Sequence, residues 1–437
     1  MAVDNERKPF SRILEHLRWI ATGKGYGAAL SLIYLAILTR SLGPANYGAF
    51  SLILGTVATL QLLLGFNVWQ VLLKYGHEHI QNKNFDALAR LIRFCTAIDL
   101  LSAVLGIVAV ALILVLGGAA LGMTENLRWL TFGYATVVLV SLRSVPRGML
   151  RLRHQFKLPF VAESVAPTVK LAGALLALLI DPSLSMFLGV WAVAELASTI
   201  VFWAGALRAF RREFGRPKGT RWYRAWRENE GLPSLMVASN LGEIAYGAGQ
   251  QLPVLLVGFF AGTAEAGLYR LAHQLTQTLS LIGGQINLAS FTEMTDLHAK
   301  NGLPQLKPLF VKLILIAASI AVAFLPVIIV LGKPLLTLMS GPEFLGAYPF
   351  LLVLGFAAAM QIVSVTSESL LLAAGRSKTL IAIRLIGTAI LLAMLFSLLH
   401  GFGAIGAAWA KVLAEAISLC LILGSSFLIL HKIKSVS

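Results

Sequence analysis

Charge is scarce in this sequence, because Asp, Glu, Lys and Arg together make up only 13% of the residues. A typical soluble domain contains roughly twice that share. Cysteine is nearly absent as well, and the spacing of Cys95 and Cys420 supports neither a disulfide framework nor a metal site. The sequence also has no H-E-x-x-H segment and no aspartate-rich sugar-nucleotide motif. These absences argue against a soluble globular protein and against a metal-dependent enzyme.

Apolar residues are abundant instead, at 57% of the chain, and the mean hydropathy is +0.80. Many apolar runs approach 20 residues, which is the length of a membrane-spanning helix. We therefore predict an all-α integral membrane protein with about twelve transmembrane helices. The predicted spans are 19–40, 47–72, 94–117, 127–149, 158–180, 183–207, 232–258, 265–293, 308–332, 348–374, 378–400 and 403–430.

The basic residues are distributed very unevenly over the predicted loops. If the N-terminus is cytoplasmic, 29 Lys and Arg residues fall on the cytoplasmic side and three on the opposite side. By the positive-inside rule, both termini are predicted to be cytoplasmic. The same asymmetry accounts for most of the net charge of +16 without a nucleic-acid partner. The basic and aromatic stretch Arg208–Glu230 is accordingly interpreted as a linker at the membrane surface.

A short pattern, G-x-A-[N/E]-x-G-x-[F/Y], occurs twice, at 43–50 and 262–269, with an offset of 219 residues. Each copy lies between two apolar segments, which is typical of a transporter built from two similar halves. Six spans in each half give both halves the same orientation, so we predict two six-helix bundles related by pseudo-two-fold symmetry along the membrane normal. The predicted organisation is a cytoplasmic amphipathic N-terminus (1–18), an N-terminal bundle (19–207), a basic linker (208–231), a C-terminal bundle (232–430) and a cytoplasmic tail (431–437).

Polar residues within the predicted spans recur at helical spacing and form stripes along single helix faces. The first two spans of each half contain the clearest stripes, which either line a water-filled central cavity or satisfy one another in helix–helix contacts. Because lysine and arginine suit phosphate, and neutral amides suit hydroxyl groups, a cavity of this kind favours an anionic ligand that contains sugars. The candidate cavity residues are Lys24, Lys170, Asn240, Gln250, Arg270, Gln274 and Gln277.

Two further polar residues, Glu243 and His273, have two open interpretations each, and one further charged pair has a preferred one. Glu243 either couples transport to a gradient of H⁺ or Na⁺ or neutralises Lys24 or Arg270. His273 is either a titrating group or a hydrogen-bonding one. Lys411 and Glu415, four residues apart, are expected to form a local ion pair. No metal or organic cofactor is predicted.

The segment L-T-R-S-L-G-P-A-N-Y-G-A-F (38–50) closely resembles the opening hairpin of bacterial polysaccharide exporters. The segments A-A-G-R-S-K (373–378) and G-A-I-G-A-A-W-A (403–410) resemble the end of the same proteins, which are repeat-unit flippases of the multidrug/oligosaccharidyl-lipid/polysaccharide exporter superfamily. The resemblance implies two bundles around a cleft. It also implies translocation of an undecaprenyl-pyrophosphate-linked oligosaccharide across the bacterial inner membrane by alternating access.

The implied partners are a lipid-linked oligosaccharide, membrane lipids, a polysaccharide polymerase and a chain-length regulator. Two alternatives within the superfamily remain, namely a flippase for the peptidoglycan precursor and a cation-coupled drug antiporter. An antiporter would be expected to have an acidic, aromatic cavity, which the basic residues argue against. A membrane polymerase or glycosyltransferase would typically need a large catalytic loop, and the sequence has no such loop.

Overall fold

A computed structural model describes residues 9–66, 68–117, 125–152, 157–215, 221–278, 294 and 306–432, although not every side chain within the helices. In these ranges the regular structure is helical throughout, and no strand occurs. The helices are α1 (Pro9–Leu64), α2 (Val68–Gln81), α3 (Phe85–Gly117), α4 (Glu125–Val140), α5 (Ser144–Leu152), α6 (Lys157–Ile180), α7 (Leu184–Phe214), α8 (Ala225–Glu228), α9 (Leu232–Ala261), α10 (263–278), α11 (Leu306–Ser340), α12 (Tyr348–Ala373), α13 (Ser377–Phe402) and α14 (Ala404–Lys432). Short 3₁₀ helices occupy Trp222–Arg224 and Pro342–Ala347.

The all-α membrane fold is confirmed. The twelve predicted spans coincide with helix over most of their described residues, and residues 279–293 of the eighth span lie outside those residues. Among the described residues, eight helical stretches are long and apolar enough to cross a membrane. One of them, Gly25–Gln81, covers two predicted spans. Two shorter apolar stretches, Leu232–Leu241 and Gly247–Ala261, lie in α9.

Two predicted spans end earlier than expected. The second was predicted to reach residue 72, but α1 ends at Leu64 and α2 begins at Val68. The fourth was predicted to reach residue 149, but α4 ends at Val140 and α5 begins at Ser144. Pro146 lies in the first turn of α5, where its missing N–H breaks no helical hydrogen bond, so its position favours a helix start there.

The chain packs as two compact units. The first unit contains Met1–Ser41 and Thr56–Ile244, and the second contains Leu42–Gly55 and Ala245–Ser437. The first unit has a core in which side chains of α2, α3, α5 and α7 interlock, with Leu72, Leu91 and Phe202 fully buried. Apolar burial of this kind stabilises each unit independently of any charge. The bundle boundaries inferred from sequence, 19–207 and 232–430, remain a prediction.

The repeated motif forms the same backbone feature in both copies. Gly43 has φ +68°, which breaks α1 into two helical parts, and Gly262 has φ +91° between α9 and α10. These glycines correspond under the 219-residue offset, and L side chains rarely adopt such φ values. Both copies therefore interrupt the helix between two predicted spans at the same position of the motif.

The two copies of the motif also contact each other within the second unit. A Cβ atom added to Gly48 would lie 1.7 Å from the carbonyl oxygen of Thr263, and one added to Gly267 would lie 2.4 Å from that of Pro44. Gly48 corresponds to Gly267 and Pro44 to Thr263, so each copy offers the same atoms to the other. The contact is locally two-fold symmetric, and glycine is required on both sides because the backbones approach so closely.

Candidate functional site

The polar stripes predicted on the seventh and eighth spans face each other across α9 and α10. Gln277 donates a short side-chain hydrogen bond to Gln250. Arg270 Nη1 donates to Gln251 Oε1 at 3.4 Å. The structure thus brings together Gln250, Gln277 and Arg270, three of the residues predicted for the cavity. Their mutual hydrogen bonds fit the second interpretation of the stripes, in which polar groups satisfy one another in a helix–helix contact.

Arg270 is the charged member of this cluster, and no described residue neutralises it. Its side chain is half-buried on α10, and its hydrogen-bond partner, Gln251, is neutral. Among the described residues, no carboxylate lies within 4 Å of its guanidinium. A cation in a membrane-spanning segment is costly unless something compensates it, so this guanidinium is suited to an anionic ligand.

The first copy of the motif extends this polar face. Tyr47 donates through its hydroxyl to Gln274 Oε1 at 3.4 Å, which links the motif to α10. On the same helix, His273 stacks on Tyr269 with ring centroids 6.0 Å apart. The Tyr269 hydroxyl is fully buried and has no hydrogen-bond partner in the described part of the chain. Gln274 is therefore held by a buried tyrosine of the first motif copy.

Two further predicted residues lie on the N-terminal half of α9. Asn240 is buried and Glu243 is half-buried. Glu243 forms no ion pair or hydrogen bond with any described residue, Arg270 included. Lys24, the other proposed partner of Glu243, lies in α1, and its side chain lies outside the described residues. The site roles of these residues therefore remain predictions.

A second charged cluster lies in the first unit and is closed. Glu195 on α7 accepts from Lys170 Nζ at 2.9 Å through one carboxylate oxygen and from Arg143 through the other. Arg143 lies in the three-residue break between α4 and α5 and also donates to Ser198 Oγ at 3.4 Å. The ammonium of Lys170 lies 5.5 Å from the centre of the Trp191 ring. Both carboxylate oxygens thus bond to cations. We interpret this cluster as a structural ion-pair network that stabilises the unit.

The sequence pattern singled out Lys170 but missed Glu195 and Arg143. Lys170 and Glu195 lie at nearly equal distances along the chain from the turn at 181–183. In an α-helical hairpin, such positions reach the same depth, and this signal would have identified the pair. Arg143 was counted among the cations of the cytoplasmic loops, so it was not considered as a partner for a carboxylate within a span.

Asp99 on α3 is a further buried acid that the sequence analysis did not single out. Its carboxylate accepts the backbone N–H of Val145 at the start of α5, where a negative charge is favourable. Its other oxygen, Oδ2, has no partner within the described ranges. Lys411 and Glu415 form the local ion pair that their spacing predicts, at 3.1 Å. No group of three or more His, Cys, Asp or Glu residues suited to a metal occurs among the described residues.

Comparisons with known proteins agree with this architecture. The family model described as "Polysaccharide biosynthesis protein" matches residues 13–298, more than half of the chain. The inner membrane protein YghQ of Escherichia coli (strain K12) is 25% identical over 340 residues, which cover 78% of this chain and 95% of that protein.

Two solved structures show the same fold. The lipid II flippase MurJ, in an inward closed conformation, superposes with a TM-score of 0.72 at 14% identity, over 93% of this chain and 86% of that chain. A multidrug resistance MATE family transporter of the MOP superfamily, in an inward-facing conformation, gives 0.73 at 12% identity over 94% and 96%. These relatives are transporters or flippases rather than enzymes. The chain therefore belongs to the polysaccharide biosynthesis protein family and has the two-bundle fold of the MOP-superfamily membrane transporters.

Proposed function

We propose that this protein flips an undecaprenyl-pyrophosphate-linked oligosaccharide, an O-antigen or exopolysaccharide repeat unit, across the bacterial inner membrane. The movement proceeds by alternating access and is coupled to a gradient of H⁺ or Na⁺. Both termini are cytoplasmic, as the 29-to-three distribution of basic residues favours. A polysaccharide polymerase and a chain-length regulator act as partners.

The observation that carries this proposal is the guanidinium of Arg270, which no described residue neutralises, in a chain of the polysaccharide biosynthesis family. A pyrophosphate group supplies the negative charge that this guanidinium lacks among the described residues. Arginine binds phosphate oxygens through paired N–H donors, which gives both attraction and orientation. In the closed cluster of the first unit, by contrast, Lys170 is already occupied by Glu195.

Neutral side chains next to Arg270 suit the sugar part of the same ligand. Gln250, Gln274 and Gln277 each offer an amide with donors and an acceptor. Asn240 lies further along α9 and offers the same groups. The three glutamine amides bond to one another or to Tyr47 in the structure, and they exchange those bonds for bonds to sugar hydroxyl groups when a glycan binds.

Glu243 is the proposed coupling residue. Its carboxylate is half-buried on α9 and lacks a cationic partner within the described part of the chain. A carboxylate in that setting binds a proton or a sodium ion, which changes the charge of the polar face during each cycle. The chain therefore needs no further cofactor for coupling.

A flippase for the peptidoglycan precursor is the second candidate, because that substrate is also a pyrophosphate lipid and the fold is shared with MurJ. A drug antiporter is a third candidate, since the fold is equally shared with a MATE transporter. Cationic drugs would be repelled by an uncompensated Arg270, which disfavours the antiporter.

The test is a translocation assay in proteoliposomes with three fluorescent substrates: an undecaprenyl-pyrophosphate oligosaccharide, the peptidoglycan precursor and a cationic drug. We expect the oligosaccharide lipid to move fastest. Arg270→Gln should slow its movement about tenfold, the loss expected from one charge-assisted contact. Lys312→Gln, which removes an exposed cation on α11, is the matched control. Exclusive transport of the drug, or an Arg270 variant equal to its control, would contradict the proposal.

A further inference from the structure

The segment Arg221–Arg227 (R-W-Y-R-A-W-R), here called the interfacial segment, connects the span α7 to the span α9. It consists of the 3₁₀ helix Trp222–Arg224 and the first residues of α8. Three of its seven residues are arginine and three are aromatic. Because it lies between two membrane-spanning helices, it is held at the height where the chain leaves the bilayer.

One face of the interfacial segment is fixed to the first unit. Ala225 is fully buried in the core formed with α2, α3 and α7. The rings of Trp222 and Trp226 lie 6.3 Å and 6.1 Å from that of Phe94 on α3. The two tryptophans lie four residues apart and contact the same phenylalanine. Aromatic contacts of this kind contribute beyond their buried area and hold the segment in one orientation.

The residues after the segment strengthen this attachment. Glu228 forms a two-point ion pair with Arg90 on α3, at 2.8 Å and 2.9 Å. The hydroxyl of Tyr75 on α2 donates to the backbone oxygen of Glu230 at 2.7 Å. Asn229 is buried between these two contacts. The segment is therefore a rigid element rather than a flexible connection between two spans.

The other face of the segment is exposed and lacks compensation for its charge. Arg221, Arg224 and Arg227 are all exposed, and none of them pairs with a carboxylate of the described residues. Tyr223 is 59% exposed, and Trp226 remains 52% exposed despite its contact with Phe94. A soluble surface rarely presents two large aromatic rings between three arginines without a ligand.

The geometry points to the interfacial segment as a binding site for the headgroups of anionic phospholipids. Tryptophan and tyrosine prefer the membrane–water interface, where the ring meets acyl chains and the polar atom meets water. Arginine at the same height pairs with lipid phosphate. The position between α7 and α9 keeps these groups at the bilayer, which favours a lipid over an RNA or a soluble protein. The site is independent of the transported substrate.

The test compares lipid binding to the detergent-purified protein by native mass spectrometry, with phosphatidylglycerol and phosphatidylcholine added in equal amounts. The wild type should retain phosphatidylglycerol preferentially. The triple variant Arg221→Gln/Arg224→Gln/Arg227→Gln should bind it at least about tenfold more weakly, since each basic group near an anionic surface contributes appreciably. Binding of phosphatidylcholine should not change, and the preference of the wild type should weaken in high salt.

The matched control is Lys307→Gln/Arg376→Gln/Lys378→Gln, which removes three exposed cations from the second unit. It should stay within about twofold of the wild type. The single variant Arg227→Gln, which leaves the contacts with Phe94 intact, should give an intermediate loss, and size-exclusion profiles check folding. Equal phosphatidylglycerol binding by both triple variants would overturn the inference. Displacement of the lipid by millimolar inorganic phosphate would overturn the inference in favour of a free-anion site. If the arginine variant instead lost binding of an RNA probe, oligo(U), and kept lipid binding, the segment would be an RNA site.

Discussion

The two units use buried charge in opposite ways. In the first, the Glu195 carboxylate bonds to both Lys170 and Arg143, so opposite charges meet and are satisfied internally. In the second, the partner of Arg270 among the described residues is a neutral glutamine. A satisfied charge network resists change, whereas a charge without an opposite partner attracts a ligand. We therefore expect the first cluster to stabilise the fold and Arg270 to bind a ligand.

The largest effect is expected from breaking the closed cluster. Glu195→Gln leaves Lys170 and Arg143 in the membrane without a negative partner, and removing one member of a buried ion pair costs about 3–5 kcal/mol. Thermal unfolding of the detergent-purified protein should show a large drop in the transition temperature.

Two companions make this experiment decisive. Replacing Glu195, Lys170 and Arg143 all by Met should recover most of the stability, because the charges are removed together. Glu163→Gln breaks a more exposed ion pair, with Arg147 at 3.8 Å, and should cost only about 0.2–1 kcal/mol. Equal losses for Glu195→Gln and Glu163→Gln would show that the cluster in the first unit does not stabilise it.

The next effect concerns the contact between the motif copies in the second unit. Gly48→Ala places a methyl group against the backbone oxygen of Thr263, and overpacking of this kind costs about 1–3 kcal/mol. Gly189→Ala on α7 is the control, because no atom lies within 4 Å of the added group there. It should be neutral or stabilising, since alanine favours a helix. Similar unfolding temperatures for the two variants would contradict the close approach.

A smaller effect on stability, but a clear one on transport, is expected at Arg270. Arg270→Gln should leave the unfolding temperature nearly unchanged, because no ion pair is lost among the described residues. The rate of translocation of the pyrophosphate lipid should fall about tenfold. Arg270→Lys should give an intermediate rate, because an ammonium point charge replaces the planar guanidinium with its paired donors. A large drop in the unfolding temperature instead would show that Arg270 has the same structural role as Glu195.

The smallest change in the translocation rate is expected for Glu243, because its replacement should affect only the dependence of transport on an ion gradient. Glu243→Gln keeps the size and polarity of the side chain but removes its ability to exchange a proton or bind a cation. Translocation in proteoliposomes should continue without responding to an imposed H⁺ or Na⁺ gradient, whereas the Glu415→Gln protein should respond like the wild type. If the Glu243 variant still follows the gradient, a different acid such as the half-satisfied Asp99 is the coupling group.

Local patterns predicted the fold to a large extent. Apolar run length predicted helix over most of the described residues of the twelve spans, and both copies of the repeated motif interrupt the helix at a glycine with positive φ, Gly43 or Gly262. Helix ends were less predictable. The helix is interrupted between Val140 and Ser144, but hydropathy along the chain does not indicate where the helical backbone is interrupted. The spacing of Lys411 and Glu415 predicted their ion pair, whereas no pattern along the chain was used to predict Glu195 as the partner of Lys170.

The sequence by itself determined that this chain crosses a membrane many times, that its halves are related, and that cations occur within its spans. Those properties depend on composition and on spacing along one helix. Only the tertiary structure decided which cations are neutralised, because Lys170 meets Glu195 across two helices while Arg270 meets only glutamine. It also decided that Gly48 and Gly267 contact each other, since a contact between residues 219 positions apart is set by packing and not by local propensity.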